Sequence, residues 1–248
     1  MRYLILSDIH SNIDALDAVL ADARDLAADS VLVLGDLVGY GADPELVVQK
    51  VRDLAPLAIV RGNHDKVVAG VESDDGFNPL AKTSAALTRR MLSQASLDYL
   101  AALPKGPIQV DATIEICHGS PFDEDWYIHQ EMDVVEAVAA SERPVCLFGH
   151  THITYAARSM GDGEVEMLLA GARPGREISV GGIRRYVVNP GSVGQPRDGD
   201  PRAAYAIVDT ESLTVTFRRV AYPVERARDR IFAAGFPRAL GQRLMVGR

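Results

Sequence analysis

Apolar residues in the first 65 positions alternate between two spacings. Short apolar runs at Tyr3–Leu6, Val31–Leu34 and Leu57–Val60 predict buried strands. Between these runs, Ile13–Ala28 and Pro44–Leu54 repeat their apolar residues at the spacing of helices. Strand, helix, strand, helix and strand with short links is typical of parallel βαβ units. We therefore expect the chain to begin with a parallel sheet.

The pattern changes further along the chain. Pro79–Leu103 has helical spacing in two segments that break near Ser93, and Lys66–Asn78 before it has no strong period. That segment could be a lid over a site or an ordinary surface loop. Helices are predicted at Glu131–Ala140 and Tyr222–Phe232, and the remaining apolar runs predict strands at Ile108–Val110, Thr113–Cys117, Val145–Phe148, Thr154–Arg158, Val165–Leu169, Glu177–Val180, Ile183–Val188, Ala203–Val208 and Thr214–Val220.

These elements predict an α/β protein with one domain over residues 1–248, in which two packed sheets are covered by helices. The 248 residues are 47% hydrophobic and 24% charged, as in ordinary globular proteins. No apolar run is long enough to cross a membrane, and Tyr3–Leu6 is too short for a signal peptide, so we expect a cytoplasmic protein. Cys117 and Cys146 lie in apolar runs and are expected to be buried and unpaired.

The net charge of −8 disfavours a protein that coats nucleic acid, which needs clustered Lys and Arg. The charge is uneven. Residues 1–150 carry 11 basic and 24 acidic side chains, and residues 151–248 carry 15 and 10. An acidic half that holds cations beside a basic half that holds anions would explain this distribution, and so would scattered surface charge.

Polar residues follow the first three predicted strands where each strand ends. Asp8 and His10 follow the first, Asp36 the second, and Asn63 and the residues after it the third. Ligand sites of parallel sheets lie beyond the carboxyl ends of the strands, so these side chains are expected to converge. The intervals of 28 and 27 residues each correspond to about one βα unit.

Two later strands end in the same way. His118 follows Thr113–Cys117, and His150 and His152 follow Val145–Phe148, so five of the six histidines come directly after strands. A single Asp could cap a helix and a single His could serve a hydrogen bond, but caps do not require histidines that converge. The set therefore predicts a metal site.

The types of donor atom narrow the choice of metal ion. Carboxylate, amide and imidazole donors without thiolate argue against a structural zinc site and suit Mn²⁺, Fe²⁺, Co²⁺, Ni²⁺ or Zn²⁺. The donors are too many for one ion, and a carboxylate can bridge two ions in sites that hydrolyse phosphate esters. Strict strand alternation would direct His150 and His152 to the same ion.

Together these residues resemble a known family. Asp8-Ile9-His10, Gly35-Asp36, Gly62-Asn63-His64-Asp65, His118 and Gly149-His150-Thr151-His152 are similar, in this order, to the five sequence blocks of the calcineurin-like metallophosphoesterase superfamily. Phe77-Asn78-Pro79 and the segment 189–198 resemble its compact, single-domain bacterial and archaeal branch of phosphodiesterases. The resemblance implies two packed mixed β-sheets flanked by helices, a four-layer αββα architecture.

The resemblance also implies roles for individual residues. It assigns two divalent ions, with Mn²⁺ favoured, one to Asp8, His10 and His152 and the other to Asn63, His118 and His150, with Asp36 as the bridge. For the two histidines of one segment to hold different ions, the strand must end before or within 149–151, and Gly149 would permit the turn. A hydroxide bridging the ions would attack phosphorus. His64 would stabilise the phosphate or protonate the leaving oxygen, with Asp65 orienting its ring.

Three further residues are weaker candidates for substrate binding. Asn12 could contact phosphate or cap the helix that begins at Ile13. Ser192 and Arg197 could bind phosphate oxygens or belong to a structural turn. The Tyr222–Phe232 helix could cover the sheet or support a homo-oligomer.

The expected function is dinuclear metal-dependent hydrolysis of small phosphate esters, phosphodiesters before monoesters, without a membrane or a clear nucleic-acid-binding surface. One alternative is a catalytically idle, metal-bound interaction scaffold of the same fold. Another is a nucleotide hydrolase that resembles diadenosine-tetraphosphatases. An exonuclease is disfavoured by the negative charge and by the lack of a second domain to guide a strand.

Overall fold

Twelve strands and eight α-helices make up the part of the chain that the computed structural model describes, residues 1–161 and 163–248. They follow one another as β1 (Arg2–Leu6), α1 (Ile13–Ala23), β2 (Ser30–Val33), α2 (Pro44–Asp53), β3 (Ala58–Ile59), α3 (Asn63–Ala69), α4 (Pro79–Met91), α5 (Gln94–Ala101), β4 (Ile108–Gln109), β5 (Ile114–Ile116), α6 (Glu131–Ala140), β6 (Val145–Leu147), β7 (Tyr155–Gly161), β8 (Glu164–Ala170), β9 (Glu177–Ser179), β10 (Tyr186–Asn189), β11 (Ala203–Asp209), β12 (Thr214–Val220), α7 (Val224–Ala233) and α8 (Arg238–Leu244).

The strands form two six-stranded mixed sheets. The first sheet has the order β3-β2-β1-β11-β12-β9, and the second has the order β4-β5-β6-β10-β7-β8. In the first, β1, β2 and β3 are parallel, as predicted, and in the second β5, β6 and β10 are parallel. Each sheet therefore has three adjacent parallel strands whose carboxyl ends lie at one edge.

Alternating side chains assemble the layers. Tyr3 and Ile5 of β1 pack with Leu147 of β6 and Tyr186 of β10 in the core between the sheets. The opposite face of β1, with Leu4 and Leu6, packs against α1 and α2, and the outer face of the second sheet packs against α6. The predicted αββα arrangement is confirmed.

Several predicted boundaries were wrong for local reasons. Helix α1 ends at Ala23 and a 3₁₀ turn follows, because Ala27 then adopts a left-handed conformation. The segment Lys66–Asn78 begins inside α3, since the metal-site motif also opens a helix. The strand predicted from Ile183 begins at Tyr186, and Ile183 lies in the preceding turn with 98% of its surface exposed.

Helix α8 was not predicted because Gly241 weakens its helical pattern. The glycine serves packing: a Cβ there would lie 2.7 Å from Cε1 of Phe232, so its absence lets α8 approach α7 closely. Together α7 and α8 bury Ile231, Leu240 and Leu244 against Tyr40 and α4. The C-terminal helices therefore reach the edge where the parallel strands end.

Cys117 and Cys146 are buried and free, as expected. Within 1–161 and 163–248, no helix combines the length and the apolar character needed to span a bilayer.

Candidate metal centre

The predicted strand-end residues of both sheets meet at one place, and their backbone is unusual. Five of them, Asp8, His10, Asp36, His150 and His152, have φ between 47° and 66°, in the left-handed region. Each such residue costs roughly 1–3 kcal/mol and persists only where its surroundings hold it in place. Backbone hydrogen bonds do so here: Asp8 N donates to Gly35 O and His10 N to Asp36 O. This strain is concentrated where the side chains converge.

The first donor cluster consists of Asp8, His10, Asp36 and His152. One ligand atom from each lies within 4.8 Å of the others, and all four residues are buried. Nε2 of His152 is 3.4 Å from Oδ1 of Asp8, and Nε2 of His10 is 3.4 Å from Oδ2 of Asp36. The carboxylates and imidazoles surround one point.

The second donor cluster consists of Asp36, Asn63, His118 and His150. Nε2 of His118 lies 3.5 Å from Oδ2 of Asp36, 3.1 Å from Nδ1 of His150 and 3.2 Å from Oδ1 of Asn63. The same oxygen of Asp36 faces both clusters. The arrangement has the form of two cation sites joined by one carboxylate.

The hydrogen bonds of the rings test whether a cation fits the first cluster. Nδ1 of His10 donates to Val38 O and Nδ1 of His152 donates to Gln195 O, because carbonyl oxygens only accept. Burial holds the pKa of both rings well below the usual range, so each ring carries a single proton, on Nδ1. The two Nε2 lone pairs then face each other at 3.1 Å with no proton between them, and a cation satisfies both.

The second cluster fits a cation for a different reason. Nδ1 of His118 donates to Leu34 O, and Nε2 of His150 donates to Asp125 O, so Nε2 of His118 and Nδ1 of His150 face each other beside Asp36. Burial alone would lower the pKa of His118, but the Asp36 charge outweighs it and raises the pKa to about 10. This position therefore attracts positive charge.

The structure brings His150 and His152 to different clusters. Strand β6 ends at Leu147, before the segment 149–151, as the separation requires. The expectation that Gly149 makes the turn was wrong, because the left-handed conformations belong to the histidines themselves, with φ of 66° and 60°. Glycine is needed at 149 because a Cβ there would lie 2.1 Å from Ser7 Oγ and 2.8 Å from Asp8 Oδ2.

His64 lies beside the clusters and belongs to neither. Its ring stands 5.0 Å from that of His10 and lies between Tyr40 at 4.3 Å and Phe77 at 4.6 Å, measured between centroids. Nδ1 of His64 is buried and has no hydrogen-bond partner within the described residues. Burial lowers the pKa of His64 to about 4.

Asp65 does not contact the ring it was expected to orient. Its carboxylate oxygens accept hydrogen bonds from the backbone N–H groups of Val38 and Gly62, at 3.2 and 3.0 Å. Asp65 therefore fixes the start of α3 to the loop after β2, and it acts on His64 only through the backbone. The ring is instead placed by Gly39, where a Cβ would lie 2.6 Å from Nδ1 of His64.

A cavity of about 200 Å³ opens beside the clusters. It is lined by His64, His150 and Asn63 from the site, by the aromatic rings of Tyr40, Phe77 and Tyr127, and by part of the loop after α3. Tyr127 stacks on His150 with a centroid distance of 3.7 Å. Trp126, the other aromatic residue of that segment, is 47% exposed and does not line the cavity.

The weaker candidates separate into two groups. Asn12 caps α1 by accepting from Ala15 N, and its amide donates to Gly194 O and Tyr222 Oη, which favours the capping alternative. Ser192 donates to Asp8 O and accepts from Gln195 N inside a turn. Arg197 differs, because its side chain meets no carboxylate within 4.0 Å in the described chain.

Two residues near the clusters were missed in the sequence. Tyr40 contacts the rings of both His10 and His64, and only its position just after the second sequence block could have indicated it. Arg243 of α8 places Cζ 6.0 Å from the centroid of Tyr40. No motif marks Arg243, and it was missed together with its helix.

Fold and donor clusters together are those of a metallophosphoesterase, an enzyme that hydrolyses phosphate esters with divalent metal ions. The chain belongs to the calcineurin-like phosphoesterase superfamily, whose domain matches residues 1–213. The match covers every predicted block and ends before α7 and α8.

Similarity to known proteins extends over almost the whole chain. A metallophosphoesterase crystal structure from Sphaerobacter thermophilus is 39% identical, with a TM-score of 0.88, and the match covers 100% of this chain and 99% of that one. The uncharacterized protein MJ0912 of Methanocaldococcus jannaschii is 34% identical over 98% of this chain and 97% of its own. Phosphodiesterase YfcE of Escherichia coli is 23% identical over 87% of this chain and 91% of its own.

Proposed function

We propose that the protein is a phosphodiesterase that works with two divalent ions, Mn²⁺ foremost, on small phosphate esters. The observation that carries the proposal is the position of Asp36, one oxygen of which faces His10 of the first donor cluster and His118 of the second. Asp8, His10, His152 and Asp36 would hold one ion, and Asn63, His118, His150 and Asp36 the other. The cytoplasmic location and a homo-oligomer stay predictions.

Ions bound there supply a nucleophile at neutral pH by lowering the pKa of water, and they neutralise charge on the phosphate oxygens. The protein's own residues orient the metal ligands and act on the substrate. Backbone carbonyls at Val38, Leu34 and Gln195 lock the ring orientations of the histidine ligands. His64, at the wall of the cavity, would stabilise the phosphate through a ring N–H, or protonate the leaving oxygen once the charge of a bound phosphate raises its pKa from about 4.

The cavity favours a diester. A phosphodiester carries a second organic group on phosphorus, and this group needs space beside the ions that a monoester does not use. The cavity of about 200 Å³ next to His64 and Asn63 offers that space, with Phe77 and Tyr127 as aromatic walls. Such walls suit a planar group, which is also compatible with a dinucleotide substrate. YfcE, a phosphodiesterase by name, is in keeping with this preference.

A substrate panel tests the proposal. Bis(p-nitrophenyl) phosphate, p-nitrophenyl phosphate, diadenosine tetraphosphate and a single-stranded oligonucleotide are incubated with the protein and Mn²⁺, and then with Co²⁺, Ni²⁺, Zn²⁺ or Fe²⁺. We expect the diester to have the highest kcat/KM. Faster turnover of the dinucleotide would favour a diadenosine-tetraphosphatase-like enzyme, and stepwise oligonucleotide shortening an exonuclease. No turnover of any substrate would indicate a scaffold.

A further inference from the structure

Two arginine side chains converge on Tyr40 next to the metal centre. Cζ of Arg197 lies 5.8 Å and Cζ of Arg243 lies 6.0 Å from the centroid of the Tyr40 ring. Tyr40 itself is buried, and its ring centroid is 4.8 Å from that of His10. A single aromatic ring thus connects both guanidinium groups with the first donor cluster.

Both guanidinium groups lack an acidic partner in the described part of the chain. In residues 1–161 and 163–248, no carboxylate oxygen lies within 4.0 Å of either one. Nη2 of Arg197 donates to Oε1 of Gln195, while its Nε is buried and has no acceptor among the residues that the structure describes. Arg226 and Arg230 of α7 behave differently, because both pair with Asp14.

Unpaired positive charge in a half-buried position is unfavourable unless an anion compensates it. Burial lowers the pKa of Arg243, and the charge of Arg197 lowers it further. The fold nevertheless directs both side chains to the same ring. Guanidinium groups bind phosphate oxygens in a planar, two-pronged geometry, so a phosphoryl group is the anion that suits such a pair.

The two arginines approach Tyr40 from different parts of the chain. Arg197 is adjacent to the metal centre, since its backbone N–H donates to His152 O at 3.1 Å. Arg243 comes from α8, outside the part of the chain that the family domain matches. A phosphate held by the two donor clusters already has cations for its oxygens. An anion bound between the two arginines would therefore be a phosphate other than the scissile one.

We infer that Arg197 and Arg243 form an anion subsite for a second phosphoryl group of the substrate, with Arg243 determining specificity. The preferred substrate is then a phosphodiester that carries a further phosphate. This inference rests on the proposed function for its catalytic consequence, but anion binding itself does not require metal.

The first experiment measures binding in the metal-free state. Calorimetric titration of the EDTA-treated protein with inorganic pyrophosphate is compared for wild type, Arg243→Gln and the control Arg238→Gln. Arg238 is an exposed arginine of the same helix that lies over Phe232 instead of Tyr40. We expect Arg243→Gln to bind pyrophosphate about tenfold more weakly, because it loses one charge-assisted contact. Arg238→Gln should bind pyrophosphate with wild-type affinity. No pyrophosphate binding by the wild type, or equal affinity in all three proteins, would overturn the inference.

The second experiment measures turnover with Mn²⁺. The p-nitrophenyl ester of thymidylate is compared with the same ester carrying a further phosphate on its free sugar hydroxyl. In the wild type the added phosphate should lower KM about tenfold, and Arg243→Gln should abolish this advantage while kcat stays unchanged. Hydrolysis of bis(p-nitrophenyl) phosphate, which lacks the second phosphate, should be equal in both proteins.

Two outcomes of this experiment would contradict the inference. One is an equal KM for the two thymidylate esters in the wild type. The other is a loss of bis(p-nitrophenyl) phosphate hydrolysis in Arg243→Gln as large as its loss with the phosphorylated thymidylate ester. That result would place Arg243 at the scissile phosphate. A lack of Mn²⁺-dependent turnover of every ester contradicts the proposed function instead, and the metal-free titration then still decides whether the anion subsite exists.

Discussion

The Nε2 atoms of His10 and His152 lie 3.1 Å apart, although the proton of each neutral ring is committed to a backbone carbonyl through Nδ1. Two lone pairs at this distance repel each other unless a cation lies between them. The neighbouring carboxylates of Asp8 and Asp36 add negative charge in a buried position. The centre should therefore be considerably more stable with metal than without it.

Chelation should lower the thermal stability of the whole protein. A ligand that binds only the folded state at a hundredfold excess over its Kd adds about 2.7 kcal/mol to the free energy of unfolding. For a chain of this length, EDTA should then lower Tm by about 5–10 °C, and Mn²⁺ should restore it. Circular dichroism during heating measures both effects. A Tm that does not depend on Mn²⁺ concentration would contradict the cation assignment.

Replacing the shared carboxylate should remove metal and activity together. In Asp36→Asn the side chain keeps its shape but loses the charge that faces both clusters, so we expect turnover to fall on the order of 100-fold or more. Metal content by mass spectrometry should fall below two ions per chain. Asp17→Asn, which removes an exposed carboxylate of α1, is the matched control and should retain both metal and activity. Full metal loading of Asp36→Asn would show that Asp36 is not the bridge.

His64→Ala should separate metal binding from catalysis. The ring lies outside both donor clusters, so two ions should still bind, while turnover of a diester should fall about 10²–10⁴-fold. Metal content and kcat measured on the same preparation distinguish the two effects. If metal is lost along with activity, His64 supports the clusters and the role proposed for it is wrong.

The rule that parallel strands bring their carboxyl ends together was enough to predict which residues converge. It predicted that residues after β1, β2, β3, β5 and β6 would meet, and their side chains do meet. The short continuous apolar runs also predicted the strands of the sheets, because a strand that buries one face between the sheets and the other under helices is apolar at nearly every position.

What the sequence did not predict depends on contacts between distant segments. The left-handed conformations of His150 and His152 are held by long-range hydrogen bonds, such as that from His150 N to Asp8 Oδ1, and histidine carries no local signal for them. The expected contact between Asp65 and the ring of His64 failed because two backbone N–H groups occupy that carboxylate. The position of Arg243 depends on how α8 packs through Gly241, which no local pattern determines.

The role of Gly149 gives a direct test of how closely the two sheets approach at the metal centre. In Gly149→Ala the new Cβ would lie 2.1 Å from Ser7 Oγ and 2.8 Å from Asp8 Oδ2, so Ser7, Asp8 or the segment after β6 must move. We expect a loss of about 1–3 kcal/mol in the free energy of unfolding, as for other overpacked cores, and a weaker ion at the first donor cluster. Chemical denaturation and metal titration measure the two effects.

Gly76→Ala is the matched control for this substitution. No atom of the described residues lies within 4 Å of a Cβ at Gly76, and that glycine has no left-handed φ, so stability and metal affinity should stay at wild-type values. Adding Ser7→Ala to Gly149→Ala removes the nearer of the two clashing atoms but also the hydrogen bond from Ser7 Oγ to Asp8 Oδ2, so it should restore only part of the stability, while the contact with Asp8 continues to weaken the ion. If Gly149→Ala alone binds metal as tightly as the wild type, the two sheets have room at this point and the ligand position of Asp8 does not depend on the glycine.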